Sequence, residues 1–226
     1  MPRLAILVPY RDREEHLRIF MPYMEEFLKG KHLEFTITVV EQAAGKPFNK
    51  AKLLNTGFVL TRDLFDYFCL HDIDMLPETD AADYGWAHAP THLAACVSQY
   101  GYRLPYLTYF GGVTMFSGED FQRVNGCSNE YWGWGLEDHD LFVRCRLSGL
   151  EPYRRLGRYV SLWHEPNGVM VGSRDVSKET IENRRRLRRF VSGELDHRCD
   201  GLSSLRYRIV DRKTIFDRHH MITVDI

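Results

Sequence analysis

The sequence of 226 residues lacks several features that would assign it to a class at once. Its five cysteines are odd in number and form no Cys-x-x-Cys pair, which argues against a zinc knuckle and against a fully paired disulfide framework. The formal net charge is -1, so the chain as a whole has no electrostatic attraction to nucleic acid or to a membrane. These absences favour a globular protein of a reducing compartment.

Long apolar runs and internal repeats are missing too. The N-terminal run Leu4–Val8 has the length of a strand, which is too short for a membrane span, and no small-residue cleavage site follows it. The sequence therefore shows no export signal, and we expect a cytoplasmic location. The alternative is a domain trimmed from a longer chain.

Segments of strand length alternate with segments of helical periodicity in the first half of the chain. Strands are predicted at Leu4–Val8, Phe35–Val40 and Tyr67–Leu70, and helices over Leu17–Leu28 and Phe48–Leu60. This alternation predicts an α/β domain with a mostly parallel sheet, and the length suits one domain. Further strands are predicted over 109–116 and 221–225.

Charged residues follow these strands at one edge of the predicted sheet. Arg11 and Arg13 follow the first strand, and the triplet Asp72-Ile73-Asp74 follows the third. Parallel α/β sheets bind ligands outside the carboxyl ends of their strands, so we expect these loops to converge there. Guanidinium groups bind phosphate oxygens, and paired carboxylates suit Mg²⁺ or Mn²⁺. Taken alone, an Asp-x-Asp triplet is equally typical of a polar turn.

Residues 131–140 combine two tryptophans, two glycines and three carboxylates within ten positions. Tryptophan rings suit the apolar face of a sugar, glycines let the backbone turn, and carboxylates can hold hydroxyls or accept a proton. The alternative is a surface turn followed by a helix whose first turn is acidic, which the helix dipole favours.

A basic run, Arg184–Arg189, lies in the C-terminal part of the chain. Its plain interpretation is the solvated face of a helix, balanced by nearby glutamates. The functional alternative is peripheral contact with anionic lipid headgroups or with an acidic partner.

Taken in order, these motifs resemble the β-1,4-galactosyltransferase family, and the resemblance spans nearly the whole catalytic domain. The residues that carry it are Tyr10-Arg11-Asp12-Arg13, Phe48-Asn49-Lys50-Ala51-Lys52, Asp72-Ile73-Asp74, Tyr109-Phe110-Gly111-Gly112-Val113, Asn125-Gly126, Trp132-Gly133-Trp134-Gly135-Leu136-Glu137-Asp138, Asp200-Gly201-Leu202 and Ile222-Thr223-Val224-Asp225-Ile226.

The resemblance implies a fold and an activity. The expected fold is the GT-A type, a nucleotide-diphospho-sugar transferase fold with a mixed sheet flanked by helices. The expected reaction is an inverting, metal-dependent transfer of galactose from UDP-galactose to an acceptor sugar in a β-1,4 linkage. Residues 1–80 would form the nucleotide-sugar half and residues 81–226 the acceptor and catalytic half. The alternatives are UDP-GalNAc or UDP-Glc as donor, or a non-catalytic sugar- or nucleotide-binding module.

The resemblance also implies site residues. Asp138 matches the general base, Glu137 a neighbour that helps hold the sugars, and Trp134 the tryptophan of a mobile loop. Asp74 and His164 match metal ligands, for Mn²⁺ or alternatively Mg²⁺. The acceptor would be bound by Asp138, His139 and Tyr106. The donor would be bound by Pro9, Tyr10, Arg11, Arg13, Phe48, Lys50, Asp72, Tyr109, Gly112 and Trp134.

Some positions depart from the family pattern. Ser161 stands where a third metal ligand is expected, and serine binds Mn²⁺ poorly. His139 stands where many members have Asp, and Lys50 where many have Arg. Tyr67 and Trp86 stand where animal relatives have a disulfide, which agrees with a reducing compartment, although a trimmed Golgi-lumen enzyme remains the alternative. The bulk of Tyr109 matches a residue that favours galactose over N-acetylgalactosamine.

Overall fold

The computed structural model describes residues 1–163 and 177–226. His164, a predicted metal ligand, lies outside the described residues. Among the helices in these two ranges, none combines the length and the apolar character that crossing a membrane requires.

Eleven strands and five α-helices form within the described ranges, and the first half of the chain alternates between them as predicted. The strands are β1 (Arg3–Tyr10), β2 (Glu34–Gln42), β3 (Tyr67–His71), β4 (Met75–Pro77), β5 (Thr91–His92), β6 (Cys96–Val97), β7 (Val113–Ser117), β8 (Tyr153–Arg154), β9 (Arg158–Ser161), β10 (Arg208–Ile215) and β11 (His219–Asp225). The helices are α1 (Glu14–Lys29), α2 (Lys50–Thr61), α3 (Gly118–Arg123), α4 (Glu137–Leu147) and α5 (Lys178–Val191).

The main sheet has the strand order β10-β11-β2-β1-β3-β7-β5-β8. Strands β11, β2, β1 and β3 pair in parallel, as do β5 and β8. Strand β7 runs antiparallel to β3 and β5, and β10 runs antiparallel to β11. The α/β fold with a mostly parallel, mixed sheet is therefore confirmed.

The continuous apolar run of β1 follows from burial on both faces. Leu4, Ile6 and Val8 pack in one core cluster with the buried face of α1, and Ala5 and Leu7 pack in a second with α2. Successive side chains of a strand point to opposite faces, so a strand covered on both sides shows no polar alternation.

The strand predicted over 109–116 is wrong at its start, because β7 begins only at Val113. Gly112 has a φ of 81°, in the left-handed region, which interrupts the extended backbone. The carbonyl of Gly112 accepts the N–H of Asp72 at 2.8 Å. Residues 109–112 therefore form a loop at the carboxyl end of β3.

A small second sheet, of order β4-β9-β6, lies beside this edge. In it, Met75 pairs with Ser161 in antiparallel register. Nearby, the rings of Tyr67 and Trp86 meet edge to face, with centroids 5.4 Å apart. An aromatic contact thus joins the two positions where the resemblance implies a disulfide in relatives.

Strand β11 lies between β2 and the edge strand β10 on the other side of the sheet. His219 is fully buried, its Nδ1 atom accepts the N–H of Ile37 at 3.1 Å, and its Nε2 atom lies 2.5 Å from a carboxylate oxygen of Glu25. Glu25 also pairs with Lys29 and Arg218. These hydrogen bonds and ion pairs connect β11 to α1 and β2.

Candidate active site

Lys50 joins two of the predicted carboxylates at the edge of the sheet. It is the first residue of α2, and the preceding Asn49 caps the helix by accepting the N–H of Lys52 at 2.9 Å. The Nζ atom of Lys50 lies 2.8 Å from the carboxylate of Asp72 and 3.3 Å from that of Glu137. The residue that follows β3 and the first residue of α4 thus contact one ammonium group.

Neighbouring carboxylates stabilise the positive charge of the Lys50 ammonium group. Burial alone would lower the pKa of Lys50, but the carboxylates of Asp72, Glu137 and Asp138 together outweigh it and raise the pKa. Burial raises the pKa of Asp72 to about 6, against the opposing effect of Lys50. The ammonium group therefore stays protonated. Because its charge limits the rise in the pKa of Asp72, the Asp72 carboxylate can ionise at neutral pH.

The side chain of His71 stabilises the turn after β3. Its Nδ1–H donates to the backbone carbonyl of Asp72 at 2.9 Å, and its Nε2 accepts the hydroxyl of Tyr84 at 2.8 Å. The side chains of His71 and Tyr84 are both fully buried beneath the site. The Asp72–Asp74 turn is therefore held by a buried polar pair rather than only by its own strand.

Asp74 lies beside the end of β9. Its backbone carbonyl accepts the N–H of Leu162 at 2.7 Å, so the chain passes Asp74 just before it reaches position 164. The hydroxyl of Ser161 is 3.3 Å from the side-chain oxygen of Gln99. Among residues 1–163 and 177–226, no three His, Cys, Asp or Glu side chains are arranged to hold a metal ion.

The 131–140 stretch forms a turn followed by an acidic helix start. Gly133, Gly135 and Leu136 all have a positive φ, and α4 begins at Glu137. Asp138 lies in the first turn of α4, where its Oδ1 atom accepts the N–H of His139 at 2.9 Å. The turn and the acidic helix start of the alternative interpretation are therefore present, and the helix start places Glu137 and Asp138 at the site.

The surroundings of Asp138 favour its protonated form. Burial and the negative charge of Glu137 raise the pKa of Asp138 to about 7, while Lys50 opposes the rise. A carboxylate of this kind accepts protons at neutral pH more readily than an exposed one, which suits a general base.

Gly111 packs directly against Asp138. A Cβ atom at position 111 would lie 2.9 Å from the Oδ2 atom of Asp138 and 3.2 Å from the ring of Tyr109. A side chain at position 111 would therefore displace the carboxylate of Asp138. The resemblance implies Gly112 as a site residue. The structure adds the neighbouring Gly111, because its lack of a side chain leaves space for the carboxylate of Asp138.

Aromatic side chains line the approach to Asp138. The ring centroid of Tyr109 is 5.6 Å from those of Tyr100 and Tyr106, and the ring of Tyr106 stacks on His139 at 6.4 Å. Tyr106 is 46% exposed, whereas Tyr109 is buried. The predicted acceptor residues thus form one wall beside the carboxylate.

The first strand delivers a second group of predicted residues. Pro9 and Tyr10 are buried at the end of β1, and Arg13 occupies the N-cap position of α1. The guanidinium of Arg11 lies over the ring of Phe48, 5.3 Å from its centroid, and donates to the carbonyl of Lys46 at 2.7 Å.

An open cavity of about 460 Å³ lies beside Arg11. Its lining residues are Arg11, Asp12, Glu41, Gln42, Ala43, Ala44, Gly45 and Thr223. Except for Arg11, none of them belongs to the predicted site. The position of Glu41 and Gln42 directly after the predicted strand Phe35–Val40 is the signal that could have identified them.

Trp134 is half-exposed, at 50%, on a loop that α5 holds. The side-chain amide of Asn183 donates to the carbonyls of Trp132 at 2.9 Å, Trp134 at 3.4 Å and Gly135 at 3.2 Å. The N–H of Gly133 donates to the carbonyl of Phe48 at 2.7 Å. No pattern in the sequence identified Asn183.

The basic run lies on α5 and divides between two faces. Arg186 points inward, 2.5 Å from the carboxylate of Asp200. Arg184, Arg185 and Arg188 are exposed and have no ion-pair partner in the described part of the chain, while Arg189 pairs with Glu194 at 3.2 Å.

Comparison with known proteins relates this arrangement to a family. The family model described as the N-terminal region of glycosyl transferase group 7 matches residues 1–86, and that described as the N-terminal domain of galactosyltransferase matches residues 91–165. β-1,4-Galactosyltransferase 4 of Homo sapiens is 42% identical over 215 residues, and β-1,4-galactosyltransferase 2 of Cricetulus griseus is 39% identical over 231 residues. These alignments cover 93% and 99% of this chain, which spans about 60% of the length of each relative.

Comparison with solved structures points to the same family. The catalytic domain of Drosophila β-1,4-galactosyltransferase 7 in complex with xylobiose superposes with a TM-score of 0.83 at 30% identity, covering 100% of this chain and 94% of that one. A mutant of the same enzyme in complex with manganese, UDP-Gal and xylobiose gives a TM-score of 0.82 at 29% identity, with the same coverage. The cytoplasmic location predicted from the sequence finds no support in these comparisons.

Proposed function

The chain belongs to the β-1,4-galactosyltransferase family, and we propose that it transfers galactose from UDP-galactose to a hydroxyl of an acceptor sugar in a β-1,4 linkage. The observation that carries the proposal is the position of Asp138. This carboxylate has a raised pKa, borders an aromatic wall that suits a sugar, and lies one residue from a carboxylate paired with Lys50.

Asp138 acts as the general base of the proposed reaction. It takes the proton from the acceptor hydroxyl while that oxygen attacks the anomeric carbon of galactose. The bond from the anomeric carbon to the diphosphate breaks on the opposite face, and its electron pair leaves with UDP. One displacement of this kind inverts the anomeric configuration, as an inverting transferase requires.

Lys50 and Glu137 serve both substrates in this scheme. The ammonium group of Lys50 faces the donor phosphates from a position already fixed by Asp72 and Glu137. Glu137 holds sugar hydroxyls as a hydrogen-bond acceptor. Lys50 contacts both Asp72, on the proposed donor side, and Glu137, next to the base. It therefore fixes the positions of the base and the leaving group relative to each other.

A divalent cation fits the residues that are present. The backbone of Asp74 lies beside the end of β9, and carboxylate oxygens such as those of its side chain suit Mn²⁺ and Mg²⁺. We propose Asp74 and His164 as its protein ligands. Since the hydroxyl of Ser161 is near Gln99, water or phosphate oxygens are better candidates to complete the shell. When bound, the cation would neutralise charge on the diphosphate leaving group.

The nucleotide is assigned to the β1 and β2 ends. The cavity beside Arg11 is the proposed place of the uridine, with Phe48 offering a ring face to the base. Arg11 and Arg13 supply cations for phosphate, and Pro9 and Tyr10 shape the backbone below. The proposed donor residues Tyr109, Gly112 and Trp134 lie after residue 80. We therefore propose that residues 1–80 bind the nucleotide of the donor, and not the whole nucleotide sugar.

Trp134 is the proposed lid residue, since its half-exposed ring lies on a glycine-flanked loop. Tyr106 and His139 form the acceptor wall, and an imidazole in place of a carboxylate offers different hydrogen bonds to the acceptor. The Drosophila relative was solved with xylobiose, so β-xylosides join glucosamine and glucose derivatives as candidate acceptors for this chain.

A donor and acceptor panel tests the proposal. Purified protein with Mn²⁺ is given UDP-Gal, UDP-GalNAc or UDP-Glc, together with β-glycosides of N-acetylglucosamine, glucose and xylose. We expect transfer from UDP-Gal to at least one acceptor, with a β-1,4 linkage by NMR. Preference for UDP-GalNAc or UDP-Glc would replace the donor, and UDP binding without transfer to any acceptor would favour a non-catalytic binding module.

We further propose that the exposed arginines of α5 contact anionic membranes peripherally. Arg184, Arg185 and Arg188 are solvent-exposed beside the exposed aliphatic residue Ile181. Each basic residue at an anionic surface contributes about 1 kcal/mol. The local cluster of exposed arginines on α5 is the basis for this proposal, since the net charge of the chain gives no overall attraction.

Vesicle sedimentation tests this contact. Phosphatidylcholine vesicles with and without phosphatidylserine are compared for the native chain and for a variant with Arg184, Arg185 and Arg188 changed to Gln. A matched control changes the exposed Arg208, Arg212 and Lys213 of β10 to Gln. Selective loss of binding in the α5 variant supports the contact, while equal binding by all three proteins contradicts it.

A further inference from the structure

Residues 107–112, here called the 107–112 segment, are held almost entirely through their carbonyl groups. The carbonyl of Phe110 accepts the hydroxyl of Thr114 at 2.7 Å, and that of Gly112 accepts the N–H of Asp72 at 2.8 Å. The N–H of Val113 donates to the carbonyl of Gly111 at 3.1 Å. Two side chains outside the predicted site, His92 and Arg154, bind further carbonyls of the segment. The segment contains Gly111, which lies against Asp138.

His92 holds the centre of the segment. Its Nε2–H donates to the carbonyl of Gly111 at 2.9 Å, and its ring meets those of Tyr109 and Phe110 at 5.2 Å and 5.7 Å. The side chain is fully buried, and Gly111 is its one hydrogen-bond partner in the described part of the chain. A buried polar ring is costly without such a partner, so this bond fixes the position of both groups.

Arg154 holds the start of the segment. Its Nη2 atom donates to the carbonyls of Leu107 at 2.6 Å and Tyr109 at 2.9 Å. His92 and Arg154 face each other in the parallel pairing of β5 and β8, so both reach the segment from neighbouring strands. Burial and the adjacent guanidinium lower the pKa of His92 to about 4, which keeps its ring neutral and its Nε2–H available as donor.

The segment has little freedom to shift once these bonds are made. Gly111 lies so close to Asp138 that a Cβ atom would be 2.9 Å from the carboxylate, and a Cβ atom on Gly112 would be 3.0 Å from that of Ala94. A displacement of the Gly111 carbonyl would therefore change the contact with the Asp138 side chain.

We propose that His92 and Arg154 are positioning residues, which hold the 107–112 segment against Asp138 and thereby fix the base for transfer. Neither residue touches a substrate in this scheme, and the inference rests on the proposed function. Displacing a reacting group by an ångström can cost about 100-fold in rate. Loss of either side chain should therefore act on kcat more than on the KM for UDP-Gal.

Four variants and a control test the proposal. His92→Leu and Arg154→Met remove the donors, His92→Gln keeps an N–H donor, and the double variant combines the two losses. His219→Leu is the control, because His219 is equally buried but lies on β11, far from β5 in the sheet. Rates are expressed per folded protein, with the folded fraction taken from thermal unfolding.

We expect kcat to fall about 10- to 100-fold in both single variants, with a smaller change in the KM for UDP-Gal. His92→Gln should recover most of the loss. The double variant should lose less than the product of the single effects, since both residues act on one segment. An unchanged kcat in His92→Leu and Arg154→Met, an equal loss in His219→Leu, or a double loss equal to the product would overturn the proposal.

Hydrogen–deuterium exchange separates this inference from the proposed function. The N–H groups of Asp72 and Val113 donate to the carbonyls of Gly112 and Gly111, so their exchange reports the segment directly. We expect faster exchange at both in His92→Leu and Arg154→Met but not in His219→Leu. If the native chain transfers no sugar, the proposed function fails, while unchanged exchange in the variants overturns the positioning role independently.

Discussion

Gly111 and Asp138 are packed so closely that the space for a Cβ atom on the glycine is occupied by the carboxylate of the aspartate. The distance from that Cβ position to the Oδ2 atom is 2.9 Å, below any normal contact. Gly111 does not have a positive φ, so its conformation is open to other residues. The requirement for glycine here comes from the neighbouring side chain and not from the backbone.

The first prediction concerns Gly111→Ala. The added methyl group should push the Asp138 carboxylate out of place, which lowers kcat by about 10- to 100-fold with little effect on folding. Steady-state kinetics and thermal unfolding measure the two effects. Gly30→Ala is the matched control, because its Cβ atom would meet nothing closer than 3.4 Å at a normal helical φ. Full activity of Gly111→Ala would contradict the close packing.

Asp138→Asn should separate chemistry from binding. An amide cannot accept the acceptor proton, so transfer should fall by about 100- to 10,000-fold, the usual contribution of a general base. UDP binding, measured by calorimetry with Mn²⁺, should stay within a small factor of that of the native chain. A comparable loss of binding would show that Asp138 supports the donor site instead.

The pH dependence of kcat/KM should report the base. Because the pKa of Asp138 is raised to about 7, activity should rise as pH increases through that value and the carboxylate loses its proton. Glu137→Gln removes a negative charge and should move this rise to lower pH. Lys50→Met removes a positive charge and should move it to higher pH, whereas Lys50→Arg should leave it near its original position. Shifts of the same sign in Glu137→Gln and Lys50→Met would refute the assignment.

Asp74→Ala should weaken the dependence on metal. The variant should require a higher Mn²⁺ concentration for UDP binding, since one carboxylate ligand is lost. Titration of Mn²⁺ at fixed UDP measures this, and Asp83→Ala offers an exposed aspartate as control. An identical Mn²⁺ titration in Asp74→Ala and in the native chain would exclude Asp74 as a ligand.

Glu25 should contribute to acid sensitivity of the fold. Although burial raises the pKa of Glu25, its hydrogen bonds to Lys29, Arg218 and His219 outweigh that effect and lower it to about 2. A lowered pKa stabilises the folded state above the unfolded pKa, by at most about 3 kcal/mol, and this stabilisation is lost as pH falls from about 4.5 to 2. Glu25→Gln should therefore be less stable at pH 7, with the difference shrinking over that range. A difference in unfolding free energy that is constant down to pH 2 would be inconsistent with this cause.

Much of the fold followed from local patterns in the sequence. The buried runs of β1, β2 and β3 and the periodic face of α1 lie where they were predicted, because burial on both faces or on one face leaves a direct imprint on the residue order. The structure also brings together Lys50, Asp72, Glu137 and Asp138, which the resemblance assigns to one site.

The parts that could not be predicted depend on contacts between distant residues. His92 and Arg154 lie in two-residue strands that carry no periodicity, and their role appears only when β5 pairs with β8. The apolar residues in 109–112 predict a strand, whereas tertiary hydrogen bonds to the carbonyls of these residues determine a loop. The function of Asn183 likewise depends on a turn fifty residues earlier, whose three carbonyls it binds.

The pairing of β11 with β2 has a consequence for how the protein folds. The hydroxyl of Thr223 donates to Glu41 at 2.6 Å across a separation of 182 positions, and both residues line the cavity beside Arg11. Closing so long a loop is slow, because its entropy is lost before the contact is gained. The cavity is therefore among the last parts of the molecule to form, so the recovery of nucleotide binding during refolding should lag behind the formation of the central strands.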